Sequence, residues 1–222
     1  MTQAAPRNAF DVIADVLDPL AGRLVLDIGA GSGGLAAPLT RAGAGWVGVD
    51  PQEVPKPLAP VVRAGAEALP FSDGAFDAAL FVNSLHHVPE ALMGAALDEA
   101  ARVTRAGAPI VVIEPIASGA LSEVLAVIDD ETRIRAAAEA AVQAAVSEGR
   151  LVETRAYCYD RLEFTPDFNS FVHRVVSIEP GRKALAEARA LELEATFMGR
   201  AAPHPRGFAL SQPMQVHVLR KP

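Results

Sequence analysis

The sequence predicts a doubly wound α/β fold, and three observations carry that prediction. Residues 23–114 alternate short apolar runs with amphipathic stretches, the order that builds a parallel sheet covered on both faces. The first apolar run ends in a glycine-rich turn, Gly29-Ala-Gly-Ser-Gly-Gly34, which opens a helical stretch. The second run ends in an acid, Asp50, 21 residues after Gly29.

Taken in order, Arg7 to Leu20 places Phe10, Ile13, Ala14, Leu17 and Leu20 at helical spacing. Arg23 to Ile28 is a buried strand, Leu35 to Ala42 a helix with Pro38 near its start, and Trp46 to Val49 a second strand. Pro51 to Pro60 holds four prolines and reads as a loop. Val61 to Arg63 is a weak third strand and Phe76 to Val82 a strong fourth. A helix from about Glu90 to Thr104 and a fifth strand from Pro109 to Glu114 complete the alternation.

The pattern then changes. Ala120 to Glu148 is a long Ala-rich helix with a break near Asp129-Asp130. Leu151 to Phe164 reads as a strand, Phe168 to Ser177 and Gly181 to Gly199 as helices, Pro203 to Gly207 as a loop, and Met214 to Leu219 as a final strand. These later helices are expected to form a cap. The predicted layout is one domain over 1–222: an N-terminal helix in 1–22, a core in 23–115, a helical cap with an additional strand in 116–206, and a final strand in 207–222.

Composition narrows the function. Of 222 residues, half are hydrophobic, enough to build a sizeable core. The formal net charge of −7, with no dense Lys/Arg run, argues against nucleic acid as a partner. Cys158 is the one cysteine, so neither an intrachain disulfide nor a cysteine-based metal cluster is expected. Met1 to Phe10 lacks the features of a signal peptide, and no apolar run approaches the roughly 18 residues that span a bilayer. The expectation is a cytoplasmic protein without a membrane partner or a metal.

The glycine turn presents backbone N–H groups at a helix start, and its missing side chains let a ligand approach the backbone. By itself it fits two cofactor classes, since Gly29, Gly31 and Gly33 give GxGxG while Gly29, Gly31 and Gly34 give GxGxxG. Asp50 can accept both hydroxyls of an adenosine ribose in either class. Asp27 separates them. A carboxylate two residues before the first glycine faces a cationic amino acid moiety favourably and would repel a pyrophosphate. The physical match is a ligand with an α-amino group and a sulfonium.

Asp27-Ile-Gly-Ala-Gly-Ser-Gly33 resembles motif I of the class I S-adenosylmethionine methyltransferases. Ala66-Glu-Ala-Leu-Pro-Phe71 with Phe76-Asp77 resembles a signature of their type 11 small-molecule branch. Asn83-Ser-Leu-His-His-Val88 and Ala101-Arg-Val-Thr-Arg-Ala-Gly-Ala108 resemble the segments after strand four and before strand five. The resemblance implies a Rossmann-like sheet of seven strands, mostly parallel with the last antiparallel. It also implies S-adenosylmethionine as cofactor, S-adenosylhomocysteine as product and a small-molecule methyl acceptor. Gly29, Ala30, Gly31 and Gly33 would line the methionine half, Asp50 with Pro51 the ribose, and Ala66 and Glu67 the adenine. Asn83 would meet the methionine amino group through its backbone. The family often has an aspartate where this chain has Gly65, so Glu67 or a backbone carbonyl would replace it at the adenine edge.

His86 and His87 are the candidate catalytic bases; adjacent histidines point apart and make a poor chelating pair. Acceptor contacts are expected from Arg7, Asn8 and Phe10 of the first helix, from the helices after strand five and from the stretch Phe164 to Val176. Ala120 to Glu148 reads as a cap or dimer-contacting helix, which admits a homodimer. Two rival functions are a nicotinamide-dependent oxidoreductase, which leaves Asp27 unexplained, and a non-catalytic S-adenosylmethionine-binding module.

Overall fold

A computed structural model of the chain describes residues 7–53 and 57–222. Its strands are β1 (Leu24–Ile28), β2 (Gly45–Asp50), β3 (Val61–Arg63), β4 (Ala78–Val82), β5 (Ile110–Pro115), β6 (Val152–Thr165), β7 (Ala202–His204) and β8 (Gly207–Arg220). Its helices are α1 (Ala9–Val16), α2 (Ala36–Arg41), α3 (Met93–Val103), α4 (Ala120–Leu125), α5 (Thr132–Ser147), α6 (Phe168–Ile178), α7 (Lys183–Ala188) and α8 (Ala190–Arg200). The sheet order is β3-β2-β1-β4-β5-β8-β6, with β7 paired to β8 off that path.

The pairs among β1 to β5 are parallel, whereas β7 runs antiparallel to β8. The expected alternation is therefore observed, with one correction: the sheet has eight strands, where seven were expected. The difference arises at Pro203 to Gly207, read as a loop. Ala202–His204 pairs with Gly207–Ala209, so a tight hairpin extends the last strand to 14 residues. Its turn is closed by Gly207 at φ 108°, where a Cβ would meet the carbonyl oxygens of Thr165 and Pro166 within 2.5 Å.

Two helices are shorter than their periodicity suggests. The helix expected to Leu20 ends at Val16, because Pro19 disfavours helical backbone before it. Gly181 to Gly199 divides at Arg189, whose guanidinium bonds the Val127 carbonyl and Glu192. No glycine or proline marks that break in the sequence, so the signal is tertiary. The break expected near Asp129-Asp130 separates α4 from α5. Of the loop Pro51 to Pro60, residues 54–56 lie outside the described residues.

The chain divides into two compact units. One comprises Asn8–Glu114, Ala136–Cys158 and Gln215–Pro222. Its core is the centre of the sheet: Val25, Leu26 and Ile28, Ala78 to Phe81, and Ile110 to Ile113 are buried, as strands covered on both faces must be. The other comprises Pro115–Arg135 and Tyr159–Met214, with Arg7. It has its own apolar cluster of Val124, Ile128, Phe171, Leu193, Phe197 and Leu210.

The first unit also holds an ion triad around a buried histidine. His217 on β8 is 3 % exposed, with Nδ1 2.6 Å from Glu153 of β6 and Nε2 2.8 Å from Glu139 of α5. Burial works against its charge, but the two carboxylates outweigh that and raise its pKa above the usual 6.5. The bond from His217 in turn lowers Glu139 below its usual 4.5. The histidine's share of stability is complete below pH 6.5 and lost as pH rises through the raised value. The share of Glu139 is present above pH 4.5 and lost as pH falls through the lowered one. His217→Leu is expected to cost about 2 kcal/mol by leaving two carboxylates facing each other, lowering Tm by about 5 °C near pH 6. Thermal unfolding across pH checks this, and the gap to wild type should narrow at high pH.

Candidate cofactor site

The site is built where β1 ends. Asp27 and Ile28 leave the sheet into Gly29, whose N–H, with that of Ala30, donates to the Val49 carbonyl. Gly29, Gly31 and Gly33 all have positive φ (75°, 51° and 81°), so the turn takes a path that side chains resist. At Gly29 the need is also spatial: a Cβ would lie 2.4 Å from Cβ of Ser84. At Gly31 nothing among the described residues lies within 4 Å of that position, so they leave an open cradle above the turn's backbone.

Asp50 ties the turn to the end of β2. One carboxylate oxygen accepts from the Gly31 N–H at 2.9 Å and the other from the Gln52 N–H at 2.9 Å. Pro51 follows in an exposed bend. Asp27 is 3 % exposed and accepts at 3.1 Å from the indole N–H of Trp46, on the neighbouring strand. Burial pushes its pKa up to about 6; the Trp46 bond opposes the rise and Asp50 adds to it. Trp46 is a site residue that sequence reading missed. It looked like ordinary strand material, and only the β1–β2 register brings it to Asp27.

The segment expected at the adenine edge is held from behind. Arg102 on α3 donates to the carbonyls of Leu69 and Phe71 and to Glu99 and Asp73, while Glu99 accepts from the Leu69 N–H. Ala66 is buried. Glu67 folds back over Gly65: a Cβ there would be 2.5 and 2.7 Å from its two carboxylate oxygens. The carboxylate of Glu67 thus fills the space a side chain at position 65 would take.

Beyond β4, Asn83 has φ 52°, the one non-glycine residue with positive φ among the described residues. Such strain persists only where the surroundings impose it, and Glu114, at the end of β5, does so. One of its oxygens accepts from the Ser84 and Leu85 N–H groups at 3.0 and 2.8 Å; the other meets Nδ1 of His86 in a short contact. Ser84 Oγ donates to the Ile28 carbonyl at 2.6 Å, binding this turn to the glycine turn. His86 is buried and His87 exposed, their rings 4.1 Å apart. Glu114 carried no motif signal; its role depends on β5 lying beside β4. Of the residues expected to meet an acceptor, Asn8 has a local task, capping α1 by accepting from the Asp11 N–H.

A family model described as a methyltransferase domain matches residues 26–112. Over 94 residues the chain is 46 % identical to an uncharacterized methyltransferase of Mycobacterium sp. (strain KMS), covering 39 % of this chain and 36 % of that protein. The chain spans little more than a third of the length of the curated relatives it matches. Among solved structures, a candidate methyltransferase of Bacillus halodurans C-125 shares the fold at TM-score 0.64 and 15 % identity, over 96 % of this chain and 99 % of that one. The 1,6-didemethyltoxoflavin-N1-methyltransferase of Burkholderia thailandensis, solved with bound 1,6-didemethyltoxoflavin and S-adenosylhomocysteine, shares it at TM-score 0.53 and 17 % identity, over 97 % of this chain and 79 % of that one. The chain shares its Rossmann-like fold with these proteins.

Proposed function

We propose that the chain binds S-adenosylmethionine and transfers its methyl group to a small-molecule acceptor by in-line displacement. One observation carries the reading: two carboxylates, Asp27 and Asp50, bracket a glycine turn that leaves an open cradle at Gly31. That geometry suits a cationic amino acid group beside a ribose and is unfavourable for a pyrophosphate. Gly29, Ala30, Gly31 and Gly33 would hold the methionine half, with Asn83 presenting backbone to the amino group and Asp27 supplying the opposing charge. Asp50 and Pro51 would meet the ribose, Ala66 would pack on adenine, and Glu67 would take the exocyclic amine in place of the missing residue-65 carboxylate.

When bound, the cofactor supplies a methyl group on a positively charged sulfur, already electrophilic. The protein's task is alignment, exclusion of water and removal of a proton. His86 is the residue for the last. The Nδ1–H donates to Glu114, which leaves Nε2 as the acceptor. His87, exposed and outside this pairing, is not assigned the proton.

Calorimetry with S-adenosylhomocysteine tests the reading, and pH adds a signature. The ligand's ammonium favours ionised Asp27, whose pKa is about 6. Affinity should be flat from pH 8 to 7 and fall about tenfold per unit well below pH 6. In Asp27→Asn it should be weaker and pH-independent. Trp46, the chain's one tryptophan, touches this carboxylate, so its fluorescence should titrate with the same midpoint. No binding at any pH, or binding of NADH instead, would sink the proposal.

A further inference from the structure

Trp46 stands on β2 at the register position of Val25, and Gly48, two residues on, stands beside Asp27. Residues two apart on a strand share a face, so Trp46, Gly48 and Asp27 look the same way. The indole lies over Gly48 and reaches past it to Asp27. A Cβ at Gly48 would stand 2.5 and 2.6 Å from Cη2 and Cζ2 of the ring, so the missing side chain is what lets the ring lie there. The far edge of the ring supports the glycine turn. Cη2 lies 3.2 Å from where a Gly33 Cβ would stand, with Ala59 Cβ 3.3 Å from the same point. Ala30 crowds the other end, its Cβ 2.8 Å from the Cβ position of Gly48. The ring is thus wedged between β2 and the glycine turn, and its N–H is aimed at Asp27, 3.1 Å from Oδ2.

The kind of donor matters. Asp27 is buried; β4 sets the apolar Leu80 beside it, and the charged group that bears on it is Asp50. Burial and a neighbouring carboxylate both favour the protonated acid, and the indole bond opposes them. An indole N–H donates and cannot accept, so it answers an ionised oxygen but cannot take the proton of a neutral acid. A hydroxyl in the same place could do both. A carboxylate offers about four lone-pair sites on its two oxygens, so one bond to the indole leaves room for an ammonium.

We infer that Trp46 is a positioning residue of the cofactor site, its N–H fixing the Asp27 carboxylate as the charged partner of a cationic amino acid group. It widens the pH range over which the site takes the amino acid half of its ligand and leaves the nucleoside half untouched. The inference rests on the S-adenosylmethionine reading for the identity of that ligand; the coupling of Trp46 to Asp27 does not.

Trp46 is the chain's one tryptophan, so feeding 3-benzothienylalanine to a tryptophan auxotroph replaces the N–H by sulfur at this position alone and keeps the shape of the ring. The test uses the full chain and two probes. S-Adenosylhomocysteine carries the ammonium; 5′-deoxy-5′-methylthioadenosine lacks the whole amino acid moiety. Calorimetry across pH is read in wild type and in the sulfur-substituted protein. Carbon NMR of the aspartate carboxylates in the free proteins follows Asp27, identified by its absence in Asp27→Asn. Loss of the N–H should move the Asp27 titration up by about one pH unit from about 6. S-Adenosylhomocysteine affinity should follow, nearly tenfold weaker than wild type at about pH 5.5 and within about twofold at about pH 8.5, where Asp27 is ionised in both proteins. Methylthioadenosine affinity should be the same in both at every pH. Gly48→Ala, whose methyl group displaces the ring, should move the titration the same way with the tryptophan still present. An Asp27 titration unmoved by the sulfur substitution would overturn the inference. So would equal loss of both probes at every pH, which a merely packed ring would produce, or S-adenosylhomocysteine affinity that ignores a moved titration. A titration that moves in a protein binding neither probe would retain the coupling of Trp46 to Asp27 and discard the S-adenosylmethionine reading. An unmoved titration in a protein that binds S-adenosylhomocysteine would retain that reading and discard the coupling.

Discussion

Asp50→Ala is expected to weaken S-adenosylhomocysteine binding by about 100-fold. Each oxygen of Asp50 already accepts one backbone N–H, from Gly31 or Gln52. Each keeps a further lone pair that a ribose hydroxyl can use. Removing the side chain deletes two charge-assisted bonds to ligand, together about 3 kcal/mol, and frees the middle of the glycine turn. Asp50→Asn should be intermediate. Its single carbonyl oxygen can serve one of the two N–H groups, while its amide N–H2 confronts the other. Calorimetry checks both variants, and their thermal stability shows whether the loss is local. A dissociation constant within threefold of wild type for Asp50→Ala would remove the ribose from this carboxylate.

Glu114→Gln should lower turnover by on the order of 100- to 10 000-fold while leaving S-adenosylhomocysteine affinity within about threefold. The amide oxygen can still accept from the Ser84 and Leu85 N–H groups, so the turn that carries Asn83 keeps its support. What changes is the other half of the side chain. A carboxylate accepts from Nδ1 of His86; an amide N–H2 donates to it. The proton moves to Nε2, and the atom assigned as base becomes a donor. Radiolabelled methyl transfer to an acceptor recovered from a metabolite panel gives the rate, and nitrogen NMR of histidine-labelled protein gives the tautomer. His86→Gln should lose as much turnover as Glu114→Gln, and the double variant little more, because the two act as one unit. Unchanged turnover in both single variants would mean that the acceptor needs no base here.

The core of the fold was legible in the sequence because its signals are local. Apolar residues such as Val25, Leu26 and Ile28 and the run Ile110 to Ile113 are buried, as in strands covered on both faces, so each announces itself without reference to a partner. The glycines are equally self-declaring: positive φ at Gly29, Gly31 and Gly33 is a demand of the backbone itself. The later part read less well for the opposite reason. The division at Arg189 depends on a carbonyl 62 residues away, and the hairpin before β8 on backbone pairing that no composition encodes.

The site divides along the same line. By itself the sequence determined the glycine turn and the two acids, Asp27 and Asp50, since these are residues near one another on two successive strands. Only the tertiary structure decided which groups stand against them. It set Trp46 on Asp27, laid Glu67 over Gly65, and gave His86 rather than His87 to Glu114. Each of those pairings is a distance between atoms on different elements. Strand register and side-chain burial fix such distances, and a linear pattern does not contain them.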